Sequence, residues 1–429
     1  MNKRKVLFIT GKFHPVPTAN TINTKNIIKE MQARGHKITC IAINQDEGES
    51  FAEYDSIPVY SIKSTKYGKL NEMEKEGKNK LRGKIALKIL FYLRKVKNLI
   101  NLFKFPDVDP SQSKAVYRLV EKLHKEENYD CIIGVFRPFS GVSAVISMKK
   151  KYPEVLCGAY YLDLINGSTK PAYAPRKLYE KLCYEGEIKA FKRLDMILMA
   201  KGGKAIYSND KYKSVNSKIR YIDFPVFTPK KNEQLKSYEK PTINLVYAGT
   251  LNKNYRNPTY MLQMLEKLSR ETEGDVLDIY GRGNCDSIIK RFQQDQKCQI
   301  NVHGMVSHDY VISAMQEADF IINISNSTQN IIPSKIFELF STGKPIINFV
   351  SNKNDISKEY FDVYPSVCTI LEWENSDKQV KYLKDFIVKE KGNRYPIEQL
   401  KERYIENTPE FTVNIIEEYL QCVRGRIDD

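Results

Sequence analysis

The chain has no hydrophobic run of the roughly 18 residues that a membrane-spanning helix needs. Its first apolar run, residues 6–10, is too short for the core of a secretory signal peptide, so we expect a buried strand there. No sequence period repeats, which argues against a solenoid. At 429 residues, 41% of them hydrophobic, the chain is long enough for two or three globular domains.

Paired cysteines and clustered histidines are also lacking. The eight cysteines include no C-x-x-C pair, and most lie in apolar segments such as 131-CIIGVF. We therefore expect small buried side chains in a reducing cytoplasm rather than a disulfide framework. The five histidines have no zinc-ligand spacing, and the sequence predicts no metal site.

Basic residues are abundant, and the net charge of +16 predicts an anionic partner such as nucleic acid, acidic lipid or a phosphorylated substrate. Residues 63–104, the basic arm, hold thirteen Lys and Arg against three Glu, a net charge of +10. Within the arm, one helical face of residues 81–103 is apolar, which is typical of a helix lying on an anionic membrane surface. The alternative is an apolar face packed on the rest of the protein. The face comprises Ile85, Ile89, Tyr92, Val96, Leu99 and Phe103.

Strand and helix patterns alternate twice along the chain. In the first half, buried strands are predicted at residues 6–10, 38–43, 131–136, 156–162 and 196–200. The helical pattern 21–36 lies between the first two, which predicts β-α-β units and a mostly parallel sheet. In the second half, strands are predicted at 243–249, 276–281, 300–304, 320–325 and 345–350.

The polar segment 227–241 is flanked by proline and is interpreted as a linker. This gives two doubly wound α/β domains, residues 1–226 with the arm and residues 242–405. Ligands of open α/β sheets bind at the carboxyl ends of the strands, so we expect a shared cleft.

One acidic residue lies in an otherwise uncharged helical pattern in 333-PSKIFELFSTGKPII-347. Ser334 suits the N-cap and Gly343 the end of this helix, whose start predicts an anion site that Lys335 reinforces. Glu338, one turn in, can accept hydrogen bonds from a vicinal diol such as that of ribose. Solvation of Glu338, or pairing with Lys344, is the alternative.

The order of five segments carries a family resemblance. They are 245-LVYAGTLNKNYRNP-258, 277-LDIYGRGN-284, 303-HGMV-306, 320-FIINIS-325 and 330-NIIPSKIFELFSTGKPII-347. This order resembles the C-terminal domain of a GT-B glycosyltransferase, closest to the retaining glycosyltransferase family 4 (group 1). The P-S-K-x-x-E pattern is similar to a branch acting in bacterial surface polysaccharide assembly. The resemblance implies two Rossmann-like domains facing a central cleft, with a final helix, residues 406–429, crossing back to the first.

The resemblance also implies a donor site. Of the two glutamates that the family has in this region, the one holding the ribose would be Glu338, and the one meeting the donor sugar is replaced by Asn330. A family basic pair grips the diphosphate; Arg256 would be one member, but the other position is Thr250, after Gly249. Either Lys253 or Lys335 would have to compensate.

The glycine-rich turn Gly281, Arg282 and Gly283 would line the nucleotide pocket together with residues 303–305. Taken alone, this turn is equally typical of an ordinary β-α connection, and Arg256 of a surface loop.

For the first domain, the resemblance implies that Asn20 lies where the family often has a glycine near the donor phosphates; an ordinary β-α turn is the alternative. Arg137 and Asp163 follow strands and are expected to contact acceptor or donor, with no firm general base. Retention by front-face attack, in which the leaving phosphate takes the acceptor proton, requires positioning and diphosphate stabilisation. No metal and no cofactor beyond the nucleotide-sugar are expected.

The predicted function is transfer of a sugar from a nucleotide-sugar, a UDP-sugar by expectation, to a lipid-linked or glycan acceptor. The expected setting is capsule, O-antigen or exopolysaccharide synthesis, peripheral to the inner face of the plasma membrane, with no nucleic-acid partner. The alternatives are an epimerase or hydrolase of the same fold, a nucleic-acid binder, and a non-catalytic partner subunit, which Asn330 and Thr250 leave open.

Overall fold

The structure is a computed structural model that describes residues 3–14, 18–45, 50–63, 106–107, 109–163, 165, 175–227, 242–268, 275–294, 298–326, 333 and 335–422. The chain forms two compact units: unit 1 comprises Met1–Pro225 and Pro409–Asp429, and unit 2 comprises Val226–Thr408. The proposed linker and the basic arm fall outside the described residues, except for Phe227 and Lys63 at their ends.

The fourteen strands within the described residues are β1 Lys5–Thr10, β2 Lys37–Gln45, β3 Ser50–Tyr54, β4 Ile57–Lys63, β5 Cys131–Phe136, β6 Leu156–Tyr161, β7 Met196–Ala200, β8 Ile219–Ile222, β9 Asn244–Ala248, β10 Val276–Tyr280, β11 Gln299–Gly304, β12 Phe320–Ile324, β13 Ile346–Val350 and β14 Val367–Leu371. The described α-helices are α1 Ala19–Ala33, α2 Pro110–Glu127, α3 Phe139–Lys151, α4 Arg176–Phe191, α5 Lys204–Tyr207, α6 Thr259–Leu268, α7 Asp286–Gln293, α8 His308–Glu317, α9 Lys335–Phe340, α10 Lys358–Asp362, α11 Ser376–Glu390, α12 Ile397–Arg403 and α13 Pro409–Cys422. Short 3-10 helices span Lys201–Gly203, Asp210–Tyr212, Asn216–Lys218 and Ile405–Asn407.

Unit 1 is built on an eight-stranded sheet of order β3-β4-β2-β1-β5-β6-β7-β8. Every described pairing is parallel except that of β3 with β4. Strands β5, β6 and β7 are buried at every position, because helices cover both faces of a parallel sheet. The order reverses direction between β1 and β5, which places a topological switch point at their carboxyl ends.

The C-terminal helix α13 belongs to unit 1, where it packs against α1. Val413 and Ile416 are fully buried in the same core cluster as Ile27 and Met31 of α1. Unit 2 ends at Thr408 rather than at residue 405, because the carbonyl of Asn407 accepts the Phe227 N–H at 3.1 Å and ties this turn to unit 2.

Unit 2 is built on a six-stranded parallel sheet of order β11-β10-β9-β12-β13-β14. This is the strand order of a Rossmann fold, with its switch point between β9 and β12. The two predicted α/β domains with parallel sheets are thus confirmed. Four strands that the apolar runs did not predict, β3, β4, β8 and β14, have exposed or half-exposed positions.

Of the seven cysteines whose side chains the structure describes, six are buried, and all seven are free thiols. Burial raises the pKa of the Cys368 thiol to about 12, as expected for a small packed side chain. Within the described ranges, no helix combines the length and the apolar character required to cross a membrane.

Candidate functional site

Glycine turns follow β9 and β10 at the carboxyl edge of the unit 2 sheet. The Gly249 N–H donates to the Tyr280 carbonyl at 2.8 Å, and the Gly281 N–H donates to the Gly304 carbonyl at 2.8 Å. Gly281 has φ +142°, and a Cβ there would overlap the carbonyl oxygen of Gly249. The turns can therefore lie side by side only because Gly281 has no side chain.

The loop after β9, residues 249–258, is held against the turn after β10. Leu251 N–H donates to the Arg282 carbonyl at 3.2 Å, and Asn284 N–H donates back to the Leu251 carbonyl at 3.2 Å. A Cβ on Gly283 would overlap that same Leu251 carbonyl. The structure thus brings together the predicted donor residues Gly249, Thr250, Gly281, Arg282 and Gly283. Packing alone therefore requires glycine at positions 281 and 283, whether or not a ligand binds.

Arg256 lies at the closed end of this loop. Its backbone pairs with Asn252 through two hydrogen bonds of 3.0 and 2.9 Å. The Nε atom is buried, and within the described part of the chain it has no hydrogen-bond partner. A buried guanidinium nitrogen without an acceptor is costly unless a ligand supplies one.

Lys335 begins α9 beside Arg256. Burial lowers the pKa of Lys335 below its ordinary value of 10.5; the carboxylate of Glu338 opposes this, and the charge of Arg256 adds to the lowering. The two charge effects show that Glu338 and Arg256 both lie close to the Lys335 ammonium. Lys253 instead directs its ammonium to the Ser287 hydroxyl at 3.4 Å, so Lys335 is the cation next to Arg256.

The two cations come from segments that follow β9 and β12, the strands on either side of the switch point. Arg256 is in the loop after β9, and Lys335 begins the helix after β12. The fold therefore concentrates positive charge where open α/β sheets bind their ligands.

The helix that carries Glu338 is shorter than its sequence pattern predicts. It has six residues and ends at Phe340; Gly343, with φ +71°, lies in the turn that follows. Because so short a helix has a small macrodipole, the charges of Arg256 and Lys335 must provide most of any attraction for an anion. Ser334, the predicted N-cap, and Asn330 lie outside the described residues.

Glu338 is partly buried, and its Oε2 lies 3.5 Å from Nε2 of His308. The described structure contains no ion pair between Glu338 and Lys344, the alternative considered from sequence. Burial lowers the pKa of Lys344; the charge of Arg394 adds to the lowering, and that of Asp319 opposes it. His308 was not predicted from the sequence, because only the Ser307 N-cap marks the start of α8.

A second cluster lies at the ends of β10 and β11. His303 Nε2 is 2.7 Å from Oδ1 of Asp278, and its ring stacks on Tyr280 with centroids 4.5 Å apart. Burial, followed by the charge of Asp278, raises the pKa of Tyr280 to about 12. His303 is thus fixed by Asp278 and Tyr280, while Met305 beyond it is exposed. The described residues contain no group of three His, Cys, Asp or Glu side chains placed to hold a metal ion.

In unit 1, three predicted residues meet at the carboxyl edge of the sheet. Asn20, in the first turn of α1, donates from Nδ2 to the Phe136 carbonyl and to Oδ2 of Asp163, both at 2.9 Å. Arg137 follows β5, and its guanidinium lies 5.5 Å from the Phe136 ring centroid. Asn20 and Arg137 follow β1 and β5, the strands beside the switch point of this sheet. Their contacts with a substrate stay predictions.

Residues 242–358 match the family of group 1 glycosyl transferases. Unit 2 carries a group 1 glycosyltransferase domain. No curated protein sequence matches the chain.

Solved structures resemble the chain over nearly its whole length. One is WaaG, a glycosyltransferase involved in lipopolysaccharide biosynthesis: TM-score 0.51, 12% identity, covering 96% of this chain and 99% of that one. Another is the catalytic domain of starch synthase IV from Arabidopsis thaliana bound to ADP and acarbose: TM-score 0.55, 11% identity, covering 98% and 99%. A third is an α-glucosyltransferase in complex with UDP and a 13-mer DNA containing a HMU base: TM-score 0.53, 11% identity, covering 98% and 100%.

At such identities the structures show a shared fold. They confirm the predicted GT-B fold. The prediction of a group 1 glycosyltransferase, and so of a transferase, is confirmed by the family match over residues 242–358. The narrower assignment to retaining family 4, and to its branch in surface polysaccharide synthesis, stays a prediction.

Proposed function

We propose that the protein transfers a sugar, with retention of configuration, from a UDP-sugar to a lipid-linked or glycan acceptor in bacterial surface polysaccharide synthesis. The observation that carries the proposal is the convergence of Arg256, Lys335 and Glu338 at the switch point of unit 2. Two cations beside one carboxylate match a nucleoside diphosphate, whose phosphates need positive charge and whose ribose offers two hydroxyls.

Diphosphate stabilisation is the chemical role of the two cations. Arg256 and Lys335 repel each other in the free protein, and a diphosphate between them would relieve this repulsion and satisfy the buried Nε of Arg256. The same groups would hold the charge that develops on the leaving diphosphate during transfer. No step requires a metal ion, because the basic side chains supply the charge.

Glu338 is assigned to the ribose. Its carboxylate lies one turn into α9, partly exposed, and its one described ion-pair contact, His308, is at the long distance of 3.5 Å. Free carboxylate lone pairs therefore remain for ribose hydroxyls. In unit 1, Asn20, Arg137 and Asp163 are assigned to binding the acceptor or donor, with no general base among them.

The basic arm supports the choice of acceptor. With a net charge of +10 beside an apolar helical face, its sequence suits an anionic lipid surface, where a lipid-linked acceptor would lie. We therefore propose that the enzyme acts peripherally at the inner face of the plasma membrane. Sedimentation with vesicles containing anionic lipid, but not with purely zwitterionic vesicles, is the expected result.

The first experiment is a thermal-shift titration with UDP, GDP, ADP, UDP-sugars and a short single-stranded DNA. A rise in melting temperature with one nucleotide class supports the donor site and identifies the base. DNA is included because an α-glucosyltransferase of the same fold was solved with it. A rise with DNA alone would contradict the proposal.

Glu338→Gln isolates the ribose contact. Its melting temperature without ligand should match the wild type, because Glu338 is partly exposed, while its nucleotide affinity should fall. The control is Glu359→Gln, an exposed carboxylate on α10 in the same unit. Equal nucleotide affinity in wild type and Glu338→Gln would remove the ribose assignment.

Product analysis separates a transferase from the alternatives of the same fold. A transferase consumes the UDP-sugar only with acceptor present, and the anomeric configuration of its product reports retention. Release of free sugar without acceptor would indicate a hydrolase, and an altered UDP-sugar an epimerase. Nucleotide binding without any turnover would favour the partner subunit.

A further inference from the structure

The helix that follows the switch point of unit 1, α3, begins without a side-chain cap. Its N-cap residue is Pro138, and its first turn holds no acidic residue. The backbone N–H groups of Phe139 and Ser140 have no acceptor in the described part of the chain, and that of Gly141 reaches the Pro138 carbonyl only at 3.4 Å. Free N–H groups and the positive end of a 13-residue helix attract an anion, although a helix start alone does not make a binding site.

A second, independent feature of this helix start is the side chain of Ser140. The residue is 5% exposed, and its hydroxyl is buried with no hydrogen-bond partner among the described residues. Because the Cα–Cβ bonds of a helix tilt toward its N-terminus, a side chain in the first turn is directed to the helix start. A buried hydroxyl without a partner costs free energy unless a ligand at the helix start supplies an acceptor.

Arg137, which immediately precedes Pro138, brings a positive charge to the same place. Its guanidinium lies 5.5 Å from the centroid of the Phe136 ring, and that ring contacts the Phe139 ring with centroids 6.3 Å apart. A Cβ on Gly11, after β1, would lie 3.3 Å from the Arg137 carbonyl oxygen, so the turns after β1 and β5 touch. Arg137 and the start of α3 therefore lie at the switch point, where open α/β sheets bind their ligands.

One carboxylate is held at the same edge of the sheet. The Asn20 amide donates to the Phe136 carbonyl and to Oδ2 of Asp163, both at 2.9 Å. The charge of Asp163 opposes a free anion, and the guanidinium of Arg137 offsets this effect. Because a carboxylate accepts hydrogen bonds from hydroxyls, the edge as a whole suits a ligand that carries an anionic group and hydroxyl groups together.

We propose that the start of α3 binds a phosphoryl group of the acceptor substrate. A phosphoryl group offers several acceptor oxygens, which the two free N–H groups, the Ser140 hydroxyl and the Arg137 guanidinium can share. A neutral ligand would gain nothing from the guanidinium charge or from the helix dipole. The word acceptor rests on the proposed transferase function. The phosphoryl site does not, because all of its groups belong to unit 1, whereas Arg256 and Lys335 belong to unit 2.

The test is a phosphorus NMR titration of the full chain with inorganic phosphate. Binding should be saturable, and Arg137→Gln should weaken it roughly tenfold or more, because a charge-assisted interaction is lost. Ser140→Ala should weaken it roughly threefold to tenfold. Without phosphate, Ser140→Ala should melt at the wild-type temperature or above it, because the hydroxyl has no partner to lose. The matched control is Ser147→Ala, an exposed serine further along α3, which should bind phosphate as the wild type does.

Two further arms separate this site from the donor site and identify the ligand. The titration is repeated in Arg256→Ala, where binding at α3 should persist, so failure of the proposed nucleotide site would leave the result unchanged. Glucose-6-phosphate and geranyl diphosphate, added as competitors, distinguish a phosphorylated sugar from a lipid diphosphate, and at least one should displace phosphate. The proposal is overturned if phosphate does not bind to Arg256→Ala, if neither competitor displaces it, if Ser147→Ala weakens binding as much as Ser140→Ala, or if Ser140→Ala lowers the melting temperature without phosphate.

Discussion

Replacing Glu417 by alanine should loosen α13 from unit 1. Its Oε2 accepts a hydrogen bond from Arg34 Nη1 at 2.7 Å, and its Oε1 lies 2.9 Å from Nε2 of His36. The backbone N–H of Arg4 donates to Nδ1 of His36, so Nε2 carries the ring hydrogen and donates it to Glu417. Both His36 and Glu417 are buried, with side chains 3% and 5% exposed.

The free-energy cost of Glu417→Ala depends on which hydrogen-bonding groups lose their partner. In Glu417→Ala, the Nε2–H of His36 remains buried without an acceptor, and Arg34 keeps only Glu30, Asn414 and the Glu410 carbonyl. Breaking a buried charged pair costs roughly 3–5 kcal/mol; we take about 3 kcal/mol, because Arg34 retains these partners. That corresponds to an equilibrium constant for the local opening of α13 that is roughly 100-fold larger.

Hydrogen exchange measured by mass spectrometry is the suitable assay, because it reports α1 and α13 separately from unit 2. Amides of residues 19–33 and 409–422 should exchange roughly 100-fold faster in Glu417→Ala, in the regime where opening is in rapid equilibrium. Glu418→Ala, the exposed neighbour on the same helix, is the control. Equal exchange in both variants would refute the reasoning.

Three further predictions follow from the described contacts. First, burial acts to raise the pKa of Glu417, but hydrogen bonds from His36 and Arg34 hold this pKa below its ordinary value of 4.5. Because the pKa is lower in the folded state, ionised Glu417 stabilises the folded protein above pH 4.5, and this contribution is lost as the pH falls. The difference in exchange between wild type and Glu417→Ala should therefore shrink below pH 4.5. Second, Gly283→Ala should displace the loop 249–258 and weaken UDP binding in calorimetry, whereas Gly202→Ala, in open space in unit 1, should not. Third, a double-mutant cycle of Asn20→Ala and Asp163→Ala in urea unfolding should give a coupling of about 1 kcal/mol for their hydrogen bond; zero coupling would show that the bond does not stabilise unit 1.

The sequence predicts the central strands because they are buried on both faces. Runs such as 131-CIIGVF and 196-MILMA have no polar alternation, and both are fully buried in the sheet of unit 1. The strand Ser50–Tyr54 is exposed or half-exposed at every position and pairs antiparallel at the sheet edge, so no apolar run marks it. The end of α9 at Phe340 was likewise not predictable from the Gly343 signal alone.

Individual residues of the candidate site were predictable from the sequence, but which of them lie close together in space was not. Arg256 and Glu338 were identified from their segments, yet the choice of Lys335 over Lys253 depends on which strands are neighbours in the sheet. That β9 and β12 are adjacent is a property of the tertiary fold. The contact between His308 and Glu338 similarly joins two helices with no local sequence signal for their proximity.

The most direct test of the central claim is the affinity for UDP of wild type, Arg256→Ala and Lys253→Ala, measured by calorimetry. If Arg256 grips the diphosphate, its removal should cost about 2–3 kcal/mol, a loss of roughly 30- to 150-fold, since charge-assisted hydrogen bonds are of this strength. Lys253→Ala should bind UDP as the wild type does, because its ammonium is directed to Ser287. Unchanged affinity in Arg256→Ala, or equal losses in both variants, would contradict a diphosphate site at the switch point of unit 2.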